Sequence, residues 1–298
     1  METERLSPRY SGIDVWEPGD ILDAMIEGQF SAVAAVRAAR PALERAALAM
    51  EARLRHRGRL IYAGAGTSGR LAVQDGAELM PTFSWPPERL VLLIAGGNNA
   101  MVRAVEGAED EVEQATEMVN RHGVGSDDVL IAVAASGTTP FTLACLREAK
   151  RLGALTIGIA NNRATPVLEE AEHPILLETG PEPIAGSTRM NAGTAQRISL
   201  NVLSSLLMIR LGRVYKGLMV DVHASNAKLA LRRESIVLSL TGRNREDVRE
   251  ALRRTKGSIK LAVLLLEGCD LDRAKTALDS VGGRLRAAIA LVAQNRAS

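Results

Sequence analysis

Two glycine-rich stretches carry the residue types and spacing for chemistry on a phosphate. The first is Gly64-Ala65-Gly66-Thr67-Ser68-Gly69-Arg70, which follows the apolar run Leu60–Ala63 and opens a stretch of helical pattern. Gly64, Gly66 and Gly69 fit G-x-G-x-x-G, a turn that brings phosphate oxygens to the N–H groups and positive dipole end of a helix. A dinucleotide cofactor also wants an Asp or Glu at the end of the second strand for its ribose hydroxyls. Here that run ends Ile94-Ala95-Gly96-Gly97-Asn98 without an acid, which weighs against NAD. The second stretch, Ala135-Ser136-Gly137-Thr138-Thr139-Pro140, places three hydroxyls directly before another helical pattern, and Thr67 and Ser68 add two more. Hydroxyls and helix N–H groups together suit a terminal phosphomonoester, whose several oxygens all need donors. The same residues have a plainer reading, in which Ser136 and Thr139 only cap a helix.

The elements that must position these turns follow from the periodicity. Short runs that are apolar throughout, Leu60–Ala63, Leu90–Ala95, Val129–Ala134, Leu155–Ala160 and Ile175–Leu177, alternate with amphipathic stretches such as Ala100–Asn120 and Phe141–Leu152. Strands of that kind belong to a parallel sheet covered by helices on both faces, so the expected fold is a doubly wound α/β domain. Ser31–Arg57 reads as one long helix kinked at Pro41. Ser187-Thr188-Arg189, after Gly186, reads as the start of a long helix, its hydroxyls either capping that helix or reaching a ligand. From about Ser225 the pattern is helical to the end. Asn244 and Asp270 are expected N-caps, while Gly242, Gly268 and Gly282–Gly283 are stops. The organisation expected is an N-terminal helical segment (1–57), an α/β domain (58–243) and a C-terminal helical subdomain (244–298).

Composition narrows the function. The net charge of +2 and 3% aromatic content argue against a nucleic-acid surface, which needs basic patches and stacking platforms. Cys145 and Cys269 lie far apart in apolar patterns and read as buried thiols, not a disulfide framework. His56, His122, His173 and His223 show no ligand spacing, so no metal site is expected. The opening METERLSPRYSG is charged and lacks an apolar core, and no run is long enough to cross a bilayer. A cytoplasmic protein without membrane partners is the expectation.

The residues also carry a resemblance. GAGTSGR followed by ASGTTP looks like the sugar isomerase (SIS) domain, an α/β module that binds phosphosugars. More specifically, the run from GRLIYAGAGTSGRLAVQDGAEL, through AVEGAED and GSTRMNAGTAQ, to ASNAKL resembles the N-acetylmuramic acid 6-phosphate etherases, motif by motif and in order from Gly58 to Leu229. That resemblance implies a cytoplasmic, cofactor-independent carbon–oxygen lyase of cell-wall amino-sugar recycling. It would cleave the D-lactyl ether of N-acetylmuramic acid 6-phosphate, a phosphorylated amino sugar, as a homodimer with its sites near the subunit interface.

Such a reaction, elimination followed by water addition, needs a base for the C2 proton and an acid for the ether oxygen at C3, work that two carboxyl groups can divide. Glu78 and Glu109 match the family's two glutamates. Glu78 stands among small and apolar neighbours, where desolvation raises a carboxyl pKa, and is assigned to the ether oxygen. Glu109 is assigned to the C2 proton, although EGAEDEVEQ also reads as a solvated acidic face. The substrate and phosphate set is then Gly66, Thr67, Ser68, Gly69, Arg70, Ser136, Gly137, Thr138, Thr139, Ser187, Thr188, Asn226 and Lys228. Lys228 also reads as an ordinary surface lysine. Two positions depart from the family pattern: Thr138 stands where the family usually has Arg, and Asn191 where it usually has Lys. Both remove a cation near an expected anion: either Arg70 or Arg189 replaces it, or this branch takes a different ether or none. A phosphosugar isomerase and a non-catalytic phosphosugar sensor on the same scaffold are the alternatives. Retention of both acids favours catalysis over the sensor.

Overall fold

The computed structural model describes residues 1–222 and 227–297. The chain divides into two compact units, one formed by Met1–Ala77 with Glu88–Ser204, the other by Glu78–Pro87 with Ser205–Ser298.

The first unit is built on a five-stranded sheet of order β2-β1-β3-β4-β5, parallel throughout. Its strands are β1 (Leu60–Gly64), β2 (Leu90–Ile94), β3 (Val129–Val133), β4 (Leu155–Ala160) and β5 (His173–Leu176). The inner strands β1, β3 and β4 are buried along their whole length, which is why they read as unbroken apolar runs. From β1 the chain steps outward to β2, then returns past β1 to place β3 on its other side. That reversal is the topological switch point, where ligands of open α/β sheets bind. The register pairs Gly64 with Val133, so β1 and β3 end level and their turns emerge side by side.

Two helical expectations are corrected. The N-terminal pattern forms α1 (Pro18–Ala38) and α2 (Arg40–Leu54), broken at Ala39, with Pro41 in the first turn of α2, where a missing N–H costs nothing. Ala100–Asn120 is not one helix. Gly96, Gly97 and Gly107 take φ values of 79°, 64° and 72°, so this stretch forms two short 3-10 turns, Gly97–Met101 and Ala108–Asp110. Only α4 (Val112–Arg121) is α-helical there. The remaining helices beside the sheet are α3 (Gly66–Phe83), α5 (Pro140–Arg151), α6 (Pro166–Glu170) and α7 (Asn191–Arg210). A buried polar knot ties β1, α3 and α7 together. Asp75, 3% exposed, accepts hydrogen bonds from the Tyr62 hydroxyl (2.8 Å), the Asn201 amide (2.7 Å) and the Ser204 hydroxyl (3.2 Å). Burial, and then the adjacent carboxylate, push the Tyr62 phenol well above its ordinary pKa.

The second unit holds a short antiparallel hairpin, β6 (Val214–Tyr215) and β7 (Leu218–Met219), and helices α8 (Ala227–Thr241) to α12 (Leu285–Ala297). Its core gathers Val237, Val248, Ala262, Leu264, Ala274 and Ala288. Asn244 and Asp270 cap α9 (Arg245–Arg254) and α11 (Leu271–Ser280), each accepting an N–H at 2.9 Å, as their spacing predicts. Ser258 is a third cap, opening α10 (Ile259–Leu266) after Gly257 at φ 84°. Cys145 is buried, and desolvation raises its thiol to about 12, whereas Cys269 is only half-buried. No described helix is long and apolar enough to cross a membrane.

Candidate active site

The first turn is shaped by backbone contact. A methyl on Gly69 would stand 2.7 Å from the Gly64 carbonyl oxygen, and one on Gly64 would stand 2.8 Å from the Gly69 Cα. These two glycines let α3 start directly against the end of β1. Gly66, at φ 53°, faces open space and supplies the left-handed bend. The Gly69 N–H closes the first helical turn on the Ala65 carbonyl at 2.9 Å. Helix geometry leaves the N–H groups of Gly66, Thr67 and Ser68 without i−4 partners, at the positive end of an 18-residue helix.

The second turn is held from below. The Ala135 carbonyl accepts the Asn161 N–H (3.0 Å) and the Asn162 side-chain amide (2.9 Å). Gly137, at φ 73°, packs so tightly on Thr165 that a methyl there would meet its hydroxyl at 2.2 Å. Thr139 occupies the N-cap position of α5 but makes no side-chain cap bond; its hydroxyl lies 3.3 Å from that of Ser136. Ser136 in turn accepts the Thr138 N–H at 3.2 Å. The capping reading of these two residues therefore gives way to a turn whose hydroxyls gather at its tip. Ser136 and Thr139 are half-buried and Thr138 is exposed.

The third hydroxyl segment is corrected in role. Ser187 and Thr188 do not open the long helix; α7 starts at Asn191 and its cap is Glu182, 1% exposed. The two carboxylate oxygens of Glu182 accept the N–H groups of Asn191 and Ala192, each at 2.9 Å. Burial raises the Glu182 pKa, and the two N–H groups only partly offset it. The positive end of α7 thus already holds an internal anion, which leaves α3 and α5 as the helix starts that face the switch point. The Thr188 carbonyl accepts the Gly193 N–H at 2.8 Å, and a methyl on Gly193 would lie 3.6 Å from the Thr67 methyl. The 187–188 turn is thereby brought to the first turn.

Comparison with known proteins completes the picture. Residues 43–150 match the family described as glucokinase regulatory protein N-terminal SIS domain, and residues 105–206 match the SIS domain family. A phosphoheptose isomerase from Francisella tularensis is similar in fold, with a TM-score of 0.50 and 21% identity, over 65% of this chain and 100% of that one. A Deinococcus radiodurans protein named N-acetylmuramic acid 6-phosphate etherase is 50% identical over 285 residues, 95% of this chain and 93% of that protein. The chain belongs to the N-acetylmuramic acid 6-phosphate etherase family. A Streptomyces coelicolor relative of the same name is 45% identical over 291 residues, covering 97% and 94% of the two chains.

In this etherase-family chain the other candidate residues stand as follows. Arg70 directs its guanidinium at the carbonyls of Ala100 (2.7 Å) and Arg103 (3.2 Å), so it secures the segment after β2. Asn191 is buried, accepts the Gln29 amide at 3.1 Å and packs on Gly28. Arg189 is exposed on the 187–190 turn. Glu109 is exposed on the 3-10 turn Ala108–Asp110, which packs on α5 through buried Ala108. Glu78 lies in the second unit and is exposed on α3, although the next residue, Leu79, is buried, so the expected desolvated setting is absent. Lys228 is exposed on α8, and Asn226 lies outside the described residues. Sequence reasoning missed Glu182, Asn161, Asn162, Thr165 and Gln29. Their signal was an acid, amide or hydroxyl in an otherwise apolar or turn-like setting, which no local spacing rule marks.

Proposed function

We propose that this protein cleaves the D-lactyl ether of N-acetylmuramic acid 6-phosphate to N-acetylglucosamine 6-phosphate and D-lactate. The observation that carries the reading is the pair of hydroxylated turns, side by side at the switch point, in a chain half identical to a relative of that name. The phosphate is held by the N–H groups of Gly66, Thr67 and Ser68, in a turn that Gly69 lets close against β1, and by the hydroxyls of Thr67, Ser68, Ser136, Thr138 and Thr139. Ser187 and Thr188 reach the sugar beyond it, and Asn226 and Lys228 are assigned to the same substrate.

The chemistry needs two carboxyl groups and neither a metal nor a redox cofactor. In the open-chain sugar the C1 aldehyde acidifies the C2 proton. Glu109 takes that proton, the C3–O bond breaks, and Glu78 protonates the departing lactyl oxygen. Glu78, now a carboxylate, draws a proton from water as its oxygen adds to C3 of the unsaturated aldehyde, and C2 is reprotonated.

The protein is read as a cytoplasmic homodimer serving the recycling of cell-wall amino sugars. Support for the dimer comes from α1, whose outward face carries Leu22, Ile26, Phe30 and Val33 at 59%, 53%, 69% and 52% exposure, opposite the buried Gly28, Ala32 and Ala35. A helix apolar on both faces needs a second cover. Against an antiparallel copy of itself, Ile26 meets Phe30, Leu22 meets Val33, and Arg37 falls beside Asp20. A parallel copy would oppose like charges.

The test is lactate release. Purified protein given N-acetylmuramic acid 6-phosphate should form D-lactate without added metal or NAD, with solvent ¹⁸O appearing at C3 of the product. Glu78→Ala should abolish release while phosphosugar binding persists. Tight phosphosugar binding without lactate from the wild type would instead favour the sensor, and interconversion of an aldose and ketose phosphate would favour the isomerase.

A further inference from the structure

The turn of α3 that presents Glu78 is weakly supported as helix. Pro81 lies inside it and brings no N–H, so the helix is one backbone hydrogen bond short at this turn. Beyond the end of the helix, Ser84 takes φ 53°, a left-handed conformation that glycine usually supplies. The N–H groups of Ser84 and Trp85 fold back on the carbonyls of Met80 (2.9 Å) and Leu79 (3.2 Å).

Arg213, the residue before β6, reaches this strained end. Its Nη1 donates to the carbonyls of Phe83 (2.7 Å) and Ser84 (2.9 Å), and its guanidinium lies 5.3 Å from the ring centroid of Trp85, itself 1% exposed. Asp221 stands 3.9 Å from the same nitrogen and accepts a hydrogen bond from the buried Lys260. All of these residues belong to the second unit. A helix that only had to stop would need a glycine at position 84 and no cation. A row of three charges that are buried or part-buried adds little net stability, and what it provides is one geometry.

We propose that Arg213 is a positioning residue for Glu78. By clamping the last carbonyls of α3 it fixes the turn that aims the Glu78 carboxyl. The inference rests on the reading of Glu78 as the acid at the ether oxygen.

The full-length protein is assayed with N-acetylmuramic acid 6-phosphate, measuring kcat, KM and thermal midpoint. Arg213→Met should lower kcat by about tenfold or more, because small misplacement of a catalytic group is costly, while KM changes by less than about threefold. Arg213→Lys should recover part of the rate. Adding Ser84→Gly to Arg213→Met relieves the cap strain and keeps the variant folded; the thermal midpoint should rise while kcat stays low. Glu78→Gln combined with Arg213→Met should be no slower than Glu78→Gln alone. Recovery of kcat along with the thermal midpoint in the Ser84→Gly background would overturn the proposal, as would an unchanged kcat in Arg213→Met. Wild-type kcat in Glu78→Gln would overturn the reading of Glu78 itself, an outcome separable because it involves no change at Arg213.

Discussion

Removing the Glu182 carboxylate tests how the 187–188 turn is held. Glu182→Ala strands the N–H groups of Asn191 and Ala192, each now bonded at 2.9 Å and buried at the start of α7. An unpaired buried donor costs about 1–3 kcal/mol. Two of them, less the relief of no longer desolvating a carboxylate, give a loss of about 2–4 kcal/mol. Glu182→Gln keeps one acceptor oxygen and the side-chain volume and should cost only about 1 kcal/mol. The pH dependence separates the variants. Burial raises the folded-state pKa of Glu182 above its unfolded value, so the folded protein binds that proton more tightly. Its contribution to stability is full below the unfolded pKa and is lost as pH rises through the folded one. Urea unfolding of the wild type and both variants, across the acid range and at neutrality, gives the comparison. The stability gap between wild type and Glu182→Gln should widen as the pH falls into the carboxylate range. Loosening the turn should also raise KM for the phosphosugar in Glu182→Ala. A Glu182→Ala protein as stable as the wild type at neutral pH would refute the reasoning.

Gly69→Ala places a methyl 2.7 Å from the Gly64 carbonyl oxygen, where only backbone could yield. Calorimetric titration with N-acetylglucosamine 6-phosphate should show at least about tenfold weaker binding, the loss of one charge-assisted hydrogen bond or more, and unchanged affinity would contradict the close-approach account of the glycine. At Asp128 burial pushes the pKa up, but the Arg59 side chain and the N–H groups of Arg59 and Gly125 outweigh it and hold the carboxyl below its ordinary range. That contribution is present above the unfolded pKa and is lost as pH falls through the folded one, so acid unfolding of Asp128→Asn should show a shallower pH dependence than the wild type. Phe30→Glu should convert the dimer to a monomer in light scattering of eluted protein, and a monomeric wild type would remove the basis for the α1 pairing.

The sequence by itself determined the elements that rest on local physics. Apolar runs alternating with amphipathic ones specified buried parallel strands with helical crossovers. Gly66 and Gly137 marked the positive-φ turns, and Asn244 and Asp270 marked helix starts by their own side-chain bonds. The tertiary structure alone decided what depends on partners distant in the chain. The order β2-β1-β3 brings two turns some seventy residues apart to one place, and no periodicity encodes which strand pairs with which. Glu182 caps a helix that starts nine residues later, and Arg70 is drawn away to carbonyls thirty residues on. Glu78 is exposed while the next residue, Leu79, is buried, so its setting follows from which side of α3 faces the core and not from the apolar character of its neighbours in sequence. Helix and turn signals are short-range because the hydrogen bonds behind them are short-range. Burial and strand order belong to the assembled core, and are settled only when it closes.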